Sequence, residues 1–251
     1  MSLHRTQETW ETLARSDPFW AILAEPEFKG NRWTVEDFFE TGNREIDEVV
    51  ASLDRLGLPS KGTSALDFGC GAGRLTQALA RHYEHVSGVD ISPTMIHLGR
   101  QLNQLGPRCE YLLNSTPDLR LFGDASFDLV YSRRTLMHVP RALIPSYILE
   151  LLRVTRPQGV LVFHLPSGPK NPVLRRLPGG LTDPLFNLAR AVGGRIRRTK
   201  EARWEMHWIS RRAVRRLLER GHGVVQAELE VPSGGGALLG VVYYVTRSPG
   251  S

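Results

Sequence analysis

Three glycines on alternate positions, followed one strand later by an aspartate, are the residues of this chain best suited to chemistry. Gly69, Gly71 and Gly73 lie between an apolar segment that ends at Phe68 and a segment with helical apolar spacing. Such a strand–turn–helix unit lets a ligand approach the backbone where side chains would otherwise block it. Asp90 ends a second apolar segment, and a carboxylate at this distance can bind both hydroxyls of a ribose. The pattern therefore predicts a site for a cofactor that contains a nucleoside.

The spacing of the glycines narrows the kind of cofactor. In the dinucleotide pattern G-x-G-x-x-G the third glycine comes one residue later than Gly73 does here, so a nicotinamide oxidoreductase is disfavoured. A plain tight turn without a ligand is the other alternative. The strand before the turn, the helix after it and the carboxylates of Asp67 and Asp90 favour a ligand site instead.

The elements that must position these residues alternate along the chain. Strands are predicted at 64–68, 86–90, 109–113, 127–132 and 159–165, with helices at 73–82, 94–104 and 143–153 between them. A last helix at 209–220 precedes two strands, at 224–231 and 237–245. The connection between these two strands is too short for a crossover helix, so the pair must be antiparallel. Repeated strand–helix units predict an α/β fold with a doubly wound, mostly parallel sheet.

The same alternation divides the chain into four predicted segments. Residues 1–62 form an N-terminal helical cap, 63–165 the cofactor-binding core, 166–208 an inserted substrate lid, and 209–247 the end of the core. Within the cap, one short helix is predicted to begin after Thr34 and a second one at Asn43. The lid is rich in Pro, Gly and Arg, which is typical of an insertion rather than of a packing layer.

Composition restricts the class of protein and its compartment. The chain has 251 residues and a hydrophobic content of 41%, enough for one α/β domain with insertions. No apolar run is long enough to span a membrane, and the first residues lack the apolar core of an export signal. The 2 cysteines predict neither a disulfide framework nor a metal site. A cytoplasmic protein without metal is therefore expected, most simply from a bacterium.

The charge of the chain leaves one question open. The formal net charge of +6 permits acidic partners, nucleic acid included. Many of the basic residues fall between Arg195 and Arg220. The arginines of 211–216 lie opposite apolar residues at helical spacing, which favours a solvated helix face over an anion-binding surface.

The segment from Asp67 to Thr76 resembles the first motif of the class I S-adenosylmethionine-dependent methyltransferases. Segments 88–96, 127–132 and 152–163 resemble, in order, the second-strand acid, the fourth strand and the helix–turn–fifth strand of that family. The resemblance covers about 63–165, and 211–245 is similar to the family's last helix and strand pair. It implies a seven-stranded sheet in the order 3-2-1-4-5-7-6, with strand 7 antiparallel, and S-adenosyl-L-methionine as the cofactor.

The resemblance also implies roles for residues at the carboxyl ends of the strands. The implied cofactor-binding residues are Asp67, Gly69, Cys70, Gly71, Gly73, Asp90, Ile91, Asn114, Ser115 and Ser132. Asp67 would orient the ammonium of the cofactor, Asp90 would bind its ribose and Ile91 would flank its adenine. The family often has an acid near the adenine amino group, where this chain has Asn114 and Ser115. These two residues are therefore adenine-side candidates, with a polar strand end as the alternative.

Candidates for chemistry on the acceptor are histidines and arginines. His138, His164 and His207 are candidate general bases, because the pKa of histidine lies near neutrality and a hydroxyl acceptor needs a base. The alternative for each is a structural histidine. Arg133 and Arg134 directly follow the fourth strand, and an arginine there, with Arg133 as the first candidate, could bind an acidic substrate group. The alternative is a fixed salt bridge to a carboxylate such as Asp128.

The 5 tryptophans lie in the N-terminal segment or near the end of the insertion. Trp20, Trp33 and Trp208 are predicted to line a substrate pocket under the lid. The alternative, compatible with this one, is a satellite core in which the two segments pack against each other.

A small-molecule methyltransferase is the function that these features favour, acting on O or N of an acceptor such as a secondary metabolite or a sugar. An RNA methyltransferase is the first alternative, motivated by the basic stretch. No appended RNA-binding module is visible, and no Asn-Pro-Pro-Tyr segment follows the fourth strand. The second alternative is a non-catalytic S-adenosylmethionine-binding protein. A small-molecule partner is thus expected, with no membrane partner and with nucleic acid not favoured.

Overall fold

The structure, a computed structural model, describes residues 2–171, 185–188 and 204–248. Its strands are β1 (Gly62–Phe68), β2 (Tyr83–Asp90), β3 (Cys109–Leu113), β4 (Phe127–Ser132), β5 (Thr155–Pro169), β6 (Gly223–Ser233) and β7 (Leu238–Arg247). They form one 7-stranded sheet in the order β3-β2-β1-β4-β5-β7-β6. Strands β1 to β5 pair in parallel, and β7 is antiparallel to both β5 and β6. The predicted fold class and strand order are confirmed.

Helices cover both faces of this sheet. The main helices are α1 (Leu3–Ser16), α2 (Pro18–Leu23), α3 (Val35–Arg55), α4 (Arg74–Leu79), α5 (Pro93–Gln101), α6 (Ile144–Val154) and α7 (Arg211–Arg220). Because successive side chains of a strand point to opposite faces, β5 supplies Leu161 to one apolar layer and Val162 to the other. The first layer includes Ile148 of α6 and Leu218 of α7, and the second includes Leu79 of α4. Among the described helices, none combines the length and the apolar character needed to cross a bilayer.

Helix α3 runs without interruption over 21 residues, whereas the sequence predicted two helices, after Thr34 and from Asn43. Thr34 caps the helix as predicted, since its hydroxyl oxygen accepts a hydrogen bond from the Asp37 N–H at 3.0 Å. Gly42 lies where α3 passes close to α4, and a Cβ there would overlap the carbonyl oxygen of Arg74. The predicted break was wrong, because the glycine permits close packing rather than ending the helix.

Several element bounds differ from the predicted ones by a few residues. Strands β1 and β2 begin earlier, β5 continues to Pro169, and α4 already ends at Leu79. Strands β3 and β4 have the predicted bounds. Most of the predicted lid, at 172–184 and 189–203, lies outside the described residues, so the division into cap, core and lid stays a prediction.

Aromatic residues of the N-terminal helices pack against the segment that follows the insertion. Trp10 stacks on Trp204 with ring centres 6.0 Å apart, and Trp20 meets Trp204 edge-on at 5.8 Å. Trp10 and Trp204 border an apolar cluster that contains Trp33 and Phe38. The satellite core expected from the distribution of tryptophans is confirmed.

Candidate active site

A pocket opens at the carboxyl ends of β1, β2 and β4, where the strand order reverses. Ligands of open α/β sheets bind at this position. The pocket is lined by Leu3, Thr6, Trp10, Ile22, Phe68, Gly69, Gly71, Val89, Asp90, Ile91, Met95, Asn114, Arg133, Arg134, Thr135, His138, Val139 and Tyr147. Of the predicted cofactor residues, the wall contains Gly69, Gly71, Asp90, Ile91 and Asn114.

The turn after β1 has a backbone shape that glycine adopts without strain. The φ angles of Gly69, Gly71 and Gly73 are 81°, 53° and 87°, in the left-handed region. The N–H groups of Gly69 and Cys70 donate to the Val89 carbonyl oxygen at 2.8 and 3.0 Å, which fastens the turn to β2. Since Gly69 and Gly71 line the pocket, the turn presents backbone without side chains to a ligand.

Asp90 ends β2 beside this turn, and backbone donors hold its carboxylate. Oδ2 accepts a hydrogen bond from the Gly71 N–H, and Oδ1 accepts one from the Ser92 N–H, both at 2.9 Å. Burial raises the pKa of Asp90, although these hydrogen bonds oppose the rise. Each carboxylate oxygen can accept more than one hydrogen bond, so Asp90 keeps acceptor capacity in the pocket wall.

Asp67 lies near the end of β1, beneath the turn, and is only 1% exposed. Its Oδ2 accepts a hydrogen bond from the Thr76 hydroxyl at 2.7 Å. Its Oδ1 is buried and accepts no hydrogen bond within the described ranges. Burial raises the pKa of Asp67 to about 7. A buried oxygen without a donor is unfavourable, so this atom would be stabilised by a cation or a donor that the described residues do not supply.

Helix α1 covers the pocket; the sequence predicted an N-terminal helical cap, but neither this helix nor its contacts. Leu3, Thr6 and Trp10 contribute to the wall from this helix. Gln7 donates a side-chain hydrogen bond to the Ile91 carbonyl oxygen at 3.0 Å. Glu11 accepts from the Ser92 hydroxyl at 2.6 Å and thereby ties α1 to the first turn of α5. The polar residues Gln7 and Glu11 on an otherwise unassigned helix were the only sequence signal for this contact.

The three predicted histidines are buried, and only His138 lines the pocket. The Nδ1 atom of His138 lies 2.9 Å from the Glu205 carbonyl oxygen, and its ring meets Trp10 edge-on at 5.1 Å. His207 donates its backbone N–H to the Met137 carbonyl oxygen at 2.7 Å, and its ring Nε2 lies 3.4 Å from Glu205 Oε2. His138 is therefore the candidate that the fold places beside a ligand.

His164 is placed differently from the other two histidines. It is 5% exposed, lies outside the pocket wall, and neither ring nitrogen makes a hydrogen bond within the described ranges. Burial, followed by the nearby guanidinium groups of Arg133 and Arg134, lowers the pKa of His164 to about 3. The imidazole is therefore neutral at physiological pH.

Arg133 follows β4 directly and belongs to a buried charge cluster centred on Glu45. Its Nε lies 3.5 Å from Glu45 Oε1, and Arg74 pairs with Glu45 Oε2 at 2.8 Å. The Tyr131 hydroxyl donates to Glu45 Oε1 at 2.9 Å. Burial disfavours the Glu45 carboxylate, but Arg74, Arg133 and Arg134 together outweigh this effect and lower the pKa of Glu45 to about 2.

Two other predictions concern charged residues away from the pocket. Arg133 has the salt bridge that the alternative interpretation predicted, but with Glu45; Asp128, the partner suggested there, pairs with Arg156 at 2.7 Å, so only the choice of partner was wrong. On helix α7, Arg215 pairs with Glu228 of β6 at 2.7 Å. The described part of the basic stretch is thus a helix face with ion pairs, as the favoured interpretation predicted.

Comparison with known families identifies the domain. Residues 66–163, which run from β1 into β5 and carry both carboxylates, match the family model described as "Methyltransferase domain". These residues are therefore a methyltransferase domain, and the chain resembles the class I S-adenosylmethionine-dependent methyltransferases. The strand order with antiparallel β7 is the fold of this family.

Relatives in the family include enzymes that act on small molecules. A 2-methyl-6-phytyl-1,4-hydroquinone methyltransferase of Synechocystis sp. is 33% identical over 136 residues, which cover 53% of this chain and 41% of the relative. A ubiquinone biosynthesis O-methyltransferase of Cereibacter sphaeroides is 29% identical over 169 residues, which cover 59% of this chain and 67% of the relative. The chain therefore spans about two fifths of the length of the first relative and two thirds of the second.

Solved structures of the family share the fold of this chain. The magnesium protoporphyrin IX methyltransferase of Synechocystis with bound SAH superposes with a TM-score of 0.65, at 19% identity, covering 98% of this chain and 100% of that one. A SAM-dependent methyltransferase of Methanosarcina mazei gives a TM-score of 0.58 at 22% identity, covering 77% of this chain and 96% of that one. At these identities the likeness concerns the fold alone.

The adenine side is where this chain departs from the pattern that the family resemblance implied. Asn114 lines the pocket, but its side chain donates to the Asp118 carbonyl oxygen at 2.8 Å and accepts from the Thr116 hydroxyl at 2.8 Å. Ser115 is exposed and lies outside the pocket wall. Asn114 thus shapes the loop after β3, while an adenine contact by either residue stays a prediction.

The remaining residues of the family's predicted cofactor set lie behind the pocket wall. Ser132 is buried and donates its hydroxyl to the Phe68 carbonyl oxygen at 3.0 Å, which joins the ends of β4 and β1. Cys70 is 5% exposed, and burial raises the pKa of its thiol. Gly73 precedes α4, where a Cβ would lie 2.6 Å from a ring carbon of Tyr111. These residues support the wall from behind.

The three tryptophans predicted to bind substrate lie outside the pocket wall. Trp33 stacks on Phe28 with ring centres 3.8 Å apart, and Trp208 meets Phe186 edge-on at 5.5 Å. Trp20 lies under the Lys29 ammonium, 4.9 Å from the centre of the ring. Their contact with a substrate stays a prediction, whereas Trp10, which the sequence analysis did not select, lines the pocket.

Proposed function

We propose that this protein is an S-adenosylmethionine-dependent methyltransferase that modifies a small-molecule acceptor on oxygen or nitrogen. The observation that carries the proposal is the side-chain-free turn at the reversal of the sheet, with Asp90 in the pocket wall and the unsatisfied Asp67 Oδ1 beneath it. The two relatives named above, which are quinol and ubiquinone-pathway methyltransferases, support the proposal.

The residues present fit S-adenosylmethionine. Gly71 and Ile22 line the same pocket, and a Cβ at Gly71 would lie 2.6 Å from Ile22 Cδ1, so the glycine keeps the space between them open. Asp90 would accept hydrogen bonds from the ribose, and Ile91 would pack on the adenine. The orphan Oδ1 of Asp67 would attract the ammonium of the methionine end, directly or through water.

The chain's own contribution to the reaction is alignment and exclusion of water. When bound, the sulfonium cofactor supplies a methyl group that is already activated for in-line displacement. The pocket wall holds the acceptor against that methyl group, which can remove several kcal/mol of the barrier. Helix α1, fastened by Gln7 and Glu11, covers the pocket and excludes water from it.

The acceptor side includes one histidine suited to proton transfer. His138 lines the pocket, and its Nδ1 lies 2.9 Å from the Glu205 carbonyl oxygen. If Nδ1 carries the proton, Nε2 is the basic nitrogen of the neutral ring and would accept the proton of a hydroxyl acceptor. His164 and His207 would act only through rearrangement or water, since neither lines the pocket. We therefore propose His138 as the general base.

A reducing compartment such as the cytoplasm fits the same proposal. Cys70 and Cys109 are both buried and both unbridged. Burial raises the pKa of each thiol, which keeps it protonated and unreactive.

Titration with S-adenosylhomocysteine (SAH) tests the proposed function directly. We expect wild-type protein to bind SAH with micromolar or better affinity, and Asp90→Ala to weaken binding by about 1.5–3 kcal/mol for each lost hydrogen bond to the charged group, or roughly 10- to 150-fold. Isothermal titration calorimetry measures both affinities. Asp54→Ala removes an exposed carboxylate of α3 and should bind SAH like the wild type.

Folding of the variants must be separated from binding, because Asp90 also holds the Gly71 N–H. Asp90→Asn keeps the shape of the side chain and one acceptor oxygen, so it should retain more affinity than Asp90→Ala. Circular dichroism and thermal unfolding check that both variants are folded. Wild-type protein that binds NADH but not SAH would contradict the assignment, and unchanged SAH affinity in folded Asp90→Ala would contradict the ribose role.

A further inference from the structure

One guanidinium in the pocket wall has no hydrogen-bond or ion-pair partner among the described residues. Arg134 lines the pocket next to Thr135 and near His138, and its side chain is exposed. It makes no hydrogen bond or ion pair with any residue in the described ranges. Its φ of 61° lies in the left-handed region, a strained conformation for a residue other than glycine. Strained residues of this kind cluster at ligand sites.

The Glu45 carboxylate interacts electrostatically with Arg134 but is already bound by other groups. Glu45 Oε2 pairs with Arg74 at 2.8 Å. Glu45 Oε1 lies 3.5 Å from Arg133 and accepts the Tyr131 hydroxyl at 2.9 Å. One carboxylate therefore pairs with two guanidinium groups, and Arg134 adds a third positive charge without an ion pair, so positive charge is in excess at this side of the pocket.

The neighbouring residues Arg133 and Arg134 differ in whether the described residues provide an ion-pair partner. The Arg133 side chain is 24% exposed and is held by Glu45, so it has a structural partner already. Arg134 is exposed to the pocket with its donors unused. A guanidinium presents donors in a planar fork that matches a carboxylate, and such paired contacts are roughly twice as strong as neutral hydrogen bonds.

We propose that Arg134 binds an anionic oxygen group of the methyl acceptor, so that the acceptor is a small acid, most simply a carboxylate. The proposal rests on the proposed function and names the class of its substrate. Arg134, rather than the Arg133 that the sequence favoured, then determines specificity for charged acceptors. His138, in the same wall, stands on the side where a hydroxyl of such an acceptor would lose its proton.

A carboxylate in this pocket could come from two sources, the acceptor or the methionine end of the cofactor. Benzoate and benzamide, which share a shape and differ in charge, probe the acceptor source. SAH and 5′-methylthioadenosine, which lacks the amino acid end, probe the cofactor source. All four are titrated calorimetrically into wild-type protein and Arg134→Gln, and the benzoate pair is titrated with and without saturating SAH.

We expect wild-type protein to bind benzoate at least tenfold more tightly than benzamide, and Arg134→Gln to bind the two equally. SAH affinity should change by less than threefold in this variant. Arg216→Gln removes an exposed arginine of α7 outside the pocket wall and should keep the wild-type preference for benzoate. Retention of the near-ultraviolet circular dichroism spectrum shows that each variant is folded.

Three results would overturn this proposal. The first is equal binding, or no binding, of benzoate and benzamide by the wild type. The second is a preference for benzoate that survives in Arg134→Gln. The third is a loss of SAH affinity above tenfold with unchanged 5′-methylthioadenosine affinity, which would assign the guanidinium to the cofactor. Failure of SAH to bind the wild type would count against the proposed function. The role of Arg134 would still be decided by the affinities of wild type and Arg134→Gln for benzoate and benzamide, measured without SAH.

Discussion

Glu45→Gln keeps the shape of the side chain and removes the charge on which the cluster beneath the pocket depends. The side chains of Glu45 and Arg74 are 11% and 3% exposed, so little water can replace the lost interaction. The lowering of the Glu45 pKa from 4.5 to about 2 corresponds to ~3 kcal/mol, because one pKa unit is about 1.4 kcal/mol. Removing one partner of a buried ion pair independently suggests about 3–5 kcal/mol. We expect the free energy of unfolding to fall by ~3 kcal/mol at pH 7.

Urea denaturation followed by tryptophan fluorescence measures this loss, since the chain carries 5 tryptophans. With a denaturant dependence of ~3 kcal/mol per molar urea, the midpoint should fall by about 1 M. Glu84→Gln, which changes an exposed glutamate of β2, should leave the midpoint within the error of the measurement.

The pH dependence gives a second readout with a definite sign. The pKa of Glu45 is lower in the folded protein than its ordinary value, so the stabilisation is fully present above pH 4.5 and is lost as the pH falls towards 2. The difference between wild type and Glu45→Gln should therefore be constant from pH 6 to 8 and should narrow below pH 4.5. A loss under 1 kcal/mol at pH 7, or a difference that grows on acidification, would refute the reasoning.

Two further predictions test the packing of α3 and the charge state of Asp67. Gly42→Ala should lower the free energy of unfolding by about 1–3 kcal/mol, because the new Cβ would overlap the Arg74 carbonyl oxygen. Helix propensity alone would instead raise the free energy of unfolding by up to about 1 kcal/mol. The sign of the change in the urea midpoint therefore shows whether the overlap or the propensity dominates. SAH should bind about tenfold more tightly at pH 8 than at pH 6, because Asp67, with a pKa of about 7, must lose its proton to attract the ammonium. Calorimetry at both pH values should show no increase in SAH affinity from pH 6 to pH 8 for Asp67→Asn. Equal SAH affinities of the wild type at the two pH values would show that Asp67 does not change its protonation on binding.

Local patterns were enough to predict the sheet and the turn. Strands that are covered by helices on both faces have sequences of short apolar runs, and such runs predicted the bounds of β3 and β4 as the structure has them. The left-handed backbone of Gly69, Gly71 and Gly73 is a property of residues adjacent in sequence. Asp90 could be placed beside the turn because parallel strands bring their carboxyl ends to one edge.

Contacts between residues far apart in sequence could not be read in this way. Nothing in the sequence near Gln7 shows that its side chain reaches the Ile91 carbonyl oxygen, yet this contact helps to make α1 a cover for the pocket. Gly42 reads as a weak point in a helix until the neighbouring backbone of Arg74 is seen. The tryptophans were expected to pack together, but only the fold shows that Trp10 reaches the pocket.

The sequence by itself determined the fold class, the bare turn and the two carboxylates beside it, because glycine conformation, apolar periodicity and strand direction are set by residues close along the chain. Only the tertiary structure decided which of two adjacent arginines is held in an ion pair and which histidine lines the pocket. The arginine is selected by Glu45, which lies on another element and pairs with Arg133. Charge pairing in a folded protein follows distance in space, and identical neighbours in sequence can therefore have different roles.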